Sequence, residues 1–128
     1  MGFCKAQGIV LQGYAPLGSA DGVDQLLTHS TLVEIATARA KSPAEIALRW
    51  ALSHGVALLP KSGKPERIAA NAAPALFAAI GSGSGSGSGS AMEAGGSDWA
   101  LSADEMGALD GIGDGGAQRF CWDPSEIQ

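Results

Sequence analysis

Two short apolar runs constrain this chain more than anything else in it: residues 9–14, Ile-Val-Leu-Gln-Gly-Tyr, and residues 56–59, Val-Ala-Leu-Leu. Each has the length and the bulky apolar side chains of a buried strand, and turn-forming residues follow both. The sequence between them is patterned for helices. A hairpin cannot bridge such a distance, so the two strands must pair in parallel. Parallel sheets are covered on both faces and are almost never built from two strands. The chain therefore reads as α/β, a slice of a larger parallel sheet.

The helical segments are marked by their ends. Residues 3–7 read as a last helical turn closed by Gly8, the residue favoured just past a C-cap. Pro16 and Gly18 close the first strand, and residues 19–25 read as a polar loop. Thr31 with Glu34 forms a capping-box pattern, followed by an apolar stripe of Leu32, Ile35 and Ala36 that runs to Ala40. Ser42-Pro43-Ala44-Glu45 is a clearer start, with a cap residue, a proline at the first helical position and a glutamate at the third. Ile46, Leu48, Trp50 and Leu52 carry that helix to Gly55. Pro65 opens another, with Ile68 as its apolar anchor and Pro74 as its limit. Ser102 and Glu105 repeat the capping box for a last helix through Leu109. Trp50 and Cys4 are expected in the core, and His29 and His54 near helix termini.

Residues 81–90 alternate Gly and Ser without exception, and residues 91–97 add more small side chains. Such a stretch has nothing to bury and behaves as a flexible coil. The expected organisation is a packed part over residues 1–80, a flexible insert over 81–98, and a helix with a tail over 99–128. Roughly 100 residues then remain to build a core.

The net charge of −5 argues against a nucleic-acid or anionic-membrane surface. Yet Lys61, Lys64 and Arg67 lie close together, which suits one small anionic ligand. Cys4 and Cys121, with His29 and His54 scattered, give neither a disulfide framework nor metal-ligand spacing. Free thiols and the lack of a membrane-spanning run of roughly 20 apolar residues fit a cytoplasmic protein.

Chemistry concentrates at the two strand exits. Lys61 and Ser62 follow the second strand, and Arg67 falls in the first turn of the helix opened by Pro65. A cation, a hydroxyl and forked guanidinium donors together hold a phosphate well. The competing reading is a solvated basic loop. Tyr14, the sole tyrosine, ends the first strand; it either stacks on a flat ligand or seals the end of the sheet.

Four segments in register resemble the aldo-keto reductase family: Tyr14-Ala-Pro-Leu-Gly-Ser19; Ser42-Pro43 leading into Ala47-Leu48-Arg49-Trp50-Ala51; Leu59-Pro60-Lys61-Ser62 with Pro65-Glu66-Arg67-Ile68; and Leu101-Ser102 before Glu105-Met106. The resemblance covers the C-terminal portion of that family. It implies a (β/α)8 TIM barrel, of which this chain would hold the last two strand–helix units, a C-terminal helix and the tail. It also implies NADPH as cofactor and a small-molecule carbonyl, an aldehyde or ketone, as substrate, with no nucleic-acid or membrane partner.

By the same resemblance Tyr14 would stack on the nicotinamide, while Leu17, Ser19 and Asp21 would line the loop over the pyrophosphate. Lys61, Ser62 and Arg67 would hold the adenosine 2′-phosphate, and Asn71 would face the adenine. Residues 119–124 are similar to the family's tail, which makes Cys121 and Trp122 the expected substrate-pocket contacts. The sequence departs from the family in three ways. The motifs of the catalytic Asp-Tyr-Lys-His tetrad, which precede the matched portion, are not in it, so no residue is assigned a catalytic role. Ala15 stands where serine is usual, and Ala70 where an acid or amide would meet adenine. The chain is therefore expected to supply the cofactor-binding part of such a reductase and, in isolation, to reduce no carbonyl. The alternatives are a regulatory or nucleotide-binding barrel fragment and an incomplete gene product.

Overall fold

The computed structural model describes residues 2–20, 22–73, 76 and 100–113. The chain runs α1 (Gly2–Ala6), β1 (Gln12–Gly13), α2 (Val23–Leu27), α3 (Ser30–Ala38), α4 (Pro43–Ser53), β2 (Ala57–Leu58), α5 (Pro65–Asn71) and α6 (Ala103–Asp110), which ends in a 3-10 turn at Gly111–Gly113. The Gly-Ser stretch, Asp21, Cys121 and Trp122 lie outside the described residues.

The expected parallel pairing is present. β1 and β2 form a two-stranded sheet with Gln12 opposite Ala57 and Gly13 opposite Leu58. The Ala57 N–H donates to the Leu11 carbonyl at 2.9 Å.

Three helices leave by the same turn, and two of those turns feed the strands. After α1, Gly8 has φ of 66°; after α4, Gly55 has φ of 76°; after α3, Ala40 has φ of 52°. In each, the positive-φ residue donates back to the second-last helical carbonyl: Gly8 to Lys5, Gly55 to Leu52, Ala40 to Thr37. The next N–H reaches one residue further back, from Ile9 to Cys4, Val56 to Ala51 and Lys41 to Ala36. This is the Schellman arrangement, which satisfies carbonyls that a helix end leaves open. It requires left-handed backbone, free of steric cost for Gly8 and Gly55 but strained for Ala40.

α4 starts as its sequence dictates. The Ser42 hydroxyl accepts from the Glu45 N–H at 3.2 Å, and the Glu45 carboxylate accepts from the Ser42 N–H at 2.8 Å. Ser102 and Glu105 make the same reciprocal box for α6. The core gathers Leu32, Ile35 and Ala36 of α3 with Ile46 and Ala47 of α4 and Leu101 and Leu109 around α6. A second cluster joins Leu48, Leu52 and Leu76, with Leu17 and Leu58 against it.

Several expectations need correction. Residues 19–25 are not all loop, because Val23, Leu26 and Leu27 share a face at helical spacing and α2 packs on α3. α3 starts at Ser30, so Thr31 and Glu34 form no capping box. Thr28, whose N–H still bonds α2, is the C-cap of that helix, and His29, in extended backbone, is the N-cap of α3, with Val33 bonding back to it. Residues 9–14 are not buried: Val10 is 77% and Tyr14 62% exposed, since among the described residues β1 has a strand on one side only. Ile68 is 52% exposed and anchors nothing, and α5 has no buried residue. Trp50 and Cys4 are half-buried rather than enclosed. Trp50 keeps its indole N–H for the Asp110 carboxylate at 2.7 Å. His29 and His54 do stand at helix termini, as the residues flanking α3 and α4.

Long-range polar contacts fasten α6. Arg39, at the end of α3, donates through Nε and Nη2 to the two Glu105 carboxylate oxygens at 2.6 and 2.5 Å. Asp110 accepts from both Trp50 and His54, the latter at 2.9 Å. The Arg39 hydrogen bonds, foremost, hold the Glu105 carboxyl down from 4.5 to about 2.

Two predictions follow from this packing. Ala40→Gly should stabilise the chain by about 0.5–1 kcal/mol in urea unfolding, and Gly55→Ala should destabilise it by about 1 kcal/mol. A destabilised Ala40→Gly would remove the strain argument. The Glu105 carboxyl titrates lower when folded than unfolded, so its contribution is complete above pH 4.5 and disappears as pH falls through about 2. Arg39→Met should lose about 1–2 kcal/mol at neutral pH and show a flatter acid limb between those values. Parallel acid limbs in the two proteins would contradict this.

Candidate functional site

Both strands end at one cleft. Leaving β1, the chain makes a turn in which the Gly18 N–H donates to the Ala15 carbonyl at 2.8 Å, with Ala15 at φ 45° and Gly18 at φ 82°. The turn sends Leu17 toward the core clusters and leaves Gly18 and Ser19 on the cleft wall. Leaving β2, the chain passes Pro60 to Lys61 and Ser62. The Ser62 hydroxyl accepts from the Lys64 N–H at 3.1 Å, which tightens the loop just before Pro65 starts α5.

The cleft encloses about 540 Å³. One wall is the post-β1 loop, with Leu17 and Ser19, and α2, with Val23, Asp24 and Leu27. A second is the start of α4, from Ser42 to Glu45. The third combines Lys61 and Ser62 with Arg67, Ala70 and Asn71 of α5. In parallel α/β folds the ligand crevice lies beyond the carboxyl ends of the strands, because the loops there are free to vary on a fixed frame.

The charge is divided across the space. Lys61 and Arg67 stand on one wall, exposed, with no ion pair among the described residues. Asp24 on α2 and Glu45 on α4 line the same cleft. Glu45 is occupied, accepting from the Ser42 N–H and hydroxyl and lying 3.8 Å from the Lys41 ammonium. Asp24 remains to accept from a hydroxyl or amino group. The arrangement can hold an extended ligand with an anionic group on the Lys61–Arg67 side and hydrogen-bond donors toward Asp24.

Of the residues singled out in the sequence, Leu17, Ser19, Lys61, Ser62, Arg67 and Asn71 come together here. Tyr14 does not line this cleft; its exposed ring lies outside it. Asp21, Cys121 and Trp122 fall outside the described residues. The sequence reading missed Asp24 and its neighbours on α2, although the spacing of Val23, Leu26 and Leu27 carried the helix. It also used the Ser42 box only as a helix start, not as a wall.

A second, apolar cavity of about 360 Å³ lies among Gly13, Pro16, Val56, Leu58, Trp50 and Ala51, with His54 and Asp110 at its edge. It offers no unpaired charge. Among the described residues no group of three His, Cys, Asp or Glu side chains is placed to hold a metal, and no helix is long and apolar enough to cross a membrane.

Residues 1–79 match the model of the aldo/keto reductase family. An aldo-keto reductase of Mycolicibacterium vanbaalenii is 34% identical over 117 residues, spanning 91% of this chain and 32% of that protein. The crystal structure of an aldo-keto reductase enzyme from a Medee basin deep-sea metagenome library superposes on 93% of this chain and 36% of its own, with a TM-score of 0.66 and 26% identity. A mutant of Gox0644 crystallised in complex with NADPH shares the fold over 99% of this chain and 37% of its own, with a TM-score of 0.64 and 24% identity. The chain spans 22% to 32% of the length of the curated relatives it matches.

Proposed function

This chain belongs to the aldo/keto reductase family, and on that premise we propose that it supplies the NADPH-binding part of a carbonyl-reducing oxidoreductase. One observation carries the reading: six residues from two strand exits and α5 line a single cleft with two cations that have no ion pair among the described residues. That donor set fits the adenosine 2′-phosphate end of NADPH. Lys61 and Arg67 supply charge, Ser62 a hydroxyl, and Asn71 an amide for a purine edge. Leu17 and Ser19 fit the adjoining pyrophosphate loop. Bound NADPH would supply a hydride to an aldehyde or ketone carbon.

The residues of this chain do the binding and the orienting. The Ser62–Lys64 hydrogen bond holds the loop that presents Lys61, so the ammonium stands near the cleft before ligand arrives. We propose no proton donor here. Tyr14 lies away from the cleft, and the family's tetrad motifs are not in this sequence. By itself the chain binds nucleotide and does not turn over.

Adenosine 2′,5′-bisphosphate should bind in calorimetric titration, and Lys61→Ala and Arg67→Ala should each weaken it roughly tenfold while changing AMP binding little. No binding at millimolar nucleotide would end the proposal. With NADPH and an aldehyde, the chain should oxidise cofactor no faster than a blank. Turnover abolished by Tyr14→Ala would overturn the non-catalytic part.

A further inference from the structure

Arg49 is the most deeply buried charged side chain among the described residues, at 2% exposure, on α4 between the core and the second apolar cluster. Its Nη1 donates to the Leu76 carbonyl at 2.8 Å. Its Nε has no hydrogen-bond partner, and no carboxylate pairs with it among the described residues. Burial pushes its pKa down. A buried charge held so sparingly costs stability, and packing alone would favour an apolar side chain of the same length.

What the side chain touches accounts for its place. α5 carries Arg67 and Asn71 into the cleft, yet has no buried residue to fix its position. Backbone hydrogen bonds lead from it to Arg49. The Ala73 N–H donates to the carbonyl of Ala70, a cleft residue, at 3.2 Å; the Leu76 N–H donates to the Ala73 carbonyl at 2.9 Å; and the Leu76 carbonyl accepts from Arg49. The Leu76 side chain packs on Leu48 and Leu52 of α4. On α4 itself, Arg49 stands one helical turn from Glu45, which also lines the cleft.

We propose that Arg49 is a positioning residue for the cleft: through the Leu76 carbonyl it sets α5 against α4, and so sets where Arg67 and Asn71 meet a nucleotide. The proposal rests on the nucleotide reading above. Arg49 touches no ligand and acts through the chain that follows α5.

The test compares the full chain with Arg49→Met and Arg49→Lys, using adenosine 2′,5′-bisphosphate as the probe at a temperature well below every melting point. Methionine fills the volume without a buried charge and makes no bond to Leu76; lysine keeps a donor. Arg49→Met should bind roughly tenfold more weakly, the size expected when a charged hydrogen bond that orders the site is lost. Arg49→Lys should stay within about threefold of the parent. An unchanged Kd in folded Arg49→Met, whatever its melting temperature, would make Arg49 merely structural and overturn the proposal. A tenfold loss in Arg49→Lys would overturn the role of the Leu76 bond, and still decides the matter if Arg49→Met does not fold. No binding by the parent chain would instead count against the nucleotide reading itself.

Discussion

Parallel pairing of β1 with β2 is the constraint on which the rest depends. Because Gln12 lies opposite Ala57 and both strands run the same way, the loops that follow them leave the sheet side by side. Ser19 and Lys61 then reach one cleft, although the sequence holds two long helices between them. An antiparallel arrangement would send those loops to opposite ends and leave no shared site. The turns at Gly8 and Gly55 serve this pairing, since each ends a helix on the way into a strand, Gly55 two residues before β2 and Gly8 four before β1.

The helices do two jobs at once. α4 gives its apolar face to both core clusters, its N-terminus to a cleft wall and its C-terminal His54 to the clasp on Asp110. α6 is held by polar contacts from Arg39, Trp50 and His54 as well as by the packing of Leu101 and Leu109. Glu105 caps its own helix and receives Arg39, so one carboxylate joins local and tertiary structure. Where a single group serves both purposes, a substitution there is felt twice.

Local chemistry was legible in the sequence, and long-range chemistry was not. Both serine–glutamate boxes and the glycine exits are written within a few neighbouring residues, and all are present; the parallel order followed from the length of helical sequence between the two strands. Thr31 and Glu34 had the same pattern but formed no box, because α2 runs to Thr28 and His29 becomes the N-cap of α3. Burial was overestimated for Ile9, Val10 and Ile68, since periodicity marks a face as apolar but cannot tell whether a neighbour covers it. The Trp50–Asp110 and Arg39–Glu105 contacts join residues 60 and 66 positions apart and leave no local trace. For the cleft, the phosphate-type residues were readable from type and spacing, whereas Asp24 needed the fold to bring α2 to the same cleft as α5.

We propose that a 2′-phosphorylated nucleotide binds in the cleft beyond β1 and β2. Amide NMR spectra of the chain titrated with adenosine 2′,5′-bisphosphate test it most directly. The account predicts saturable shifts clustered at Ser19, Ser62, Arg67 and Asn71, with α3 and α6 unmoved. Shifts centred instead on Trp50, His54 and Asp110 at the apolar cavity, or none at saturating ligand, would contradict it.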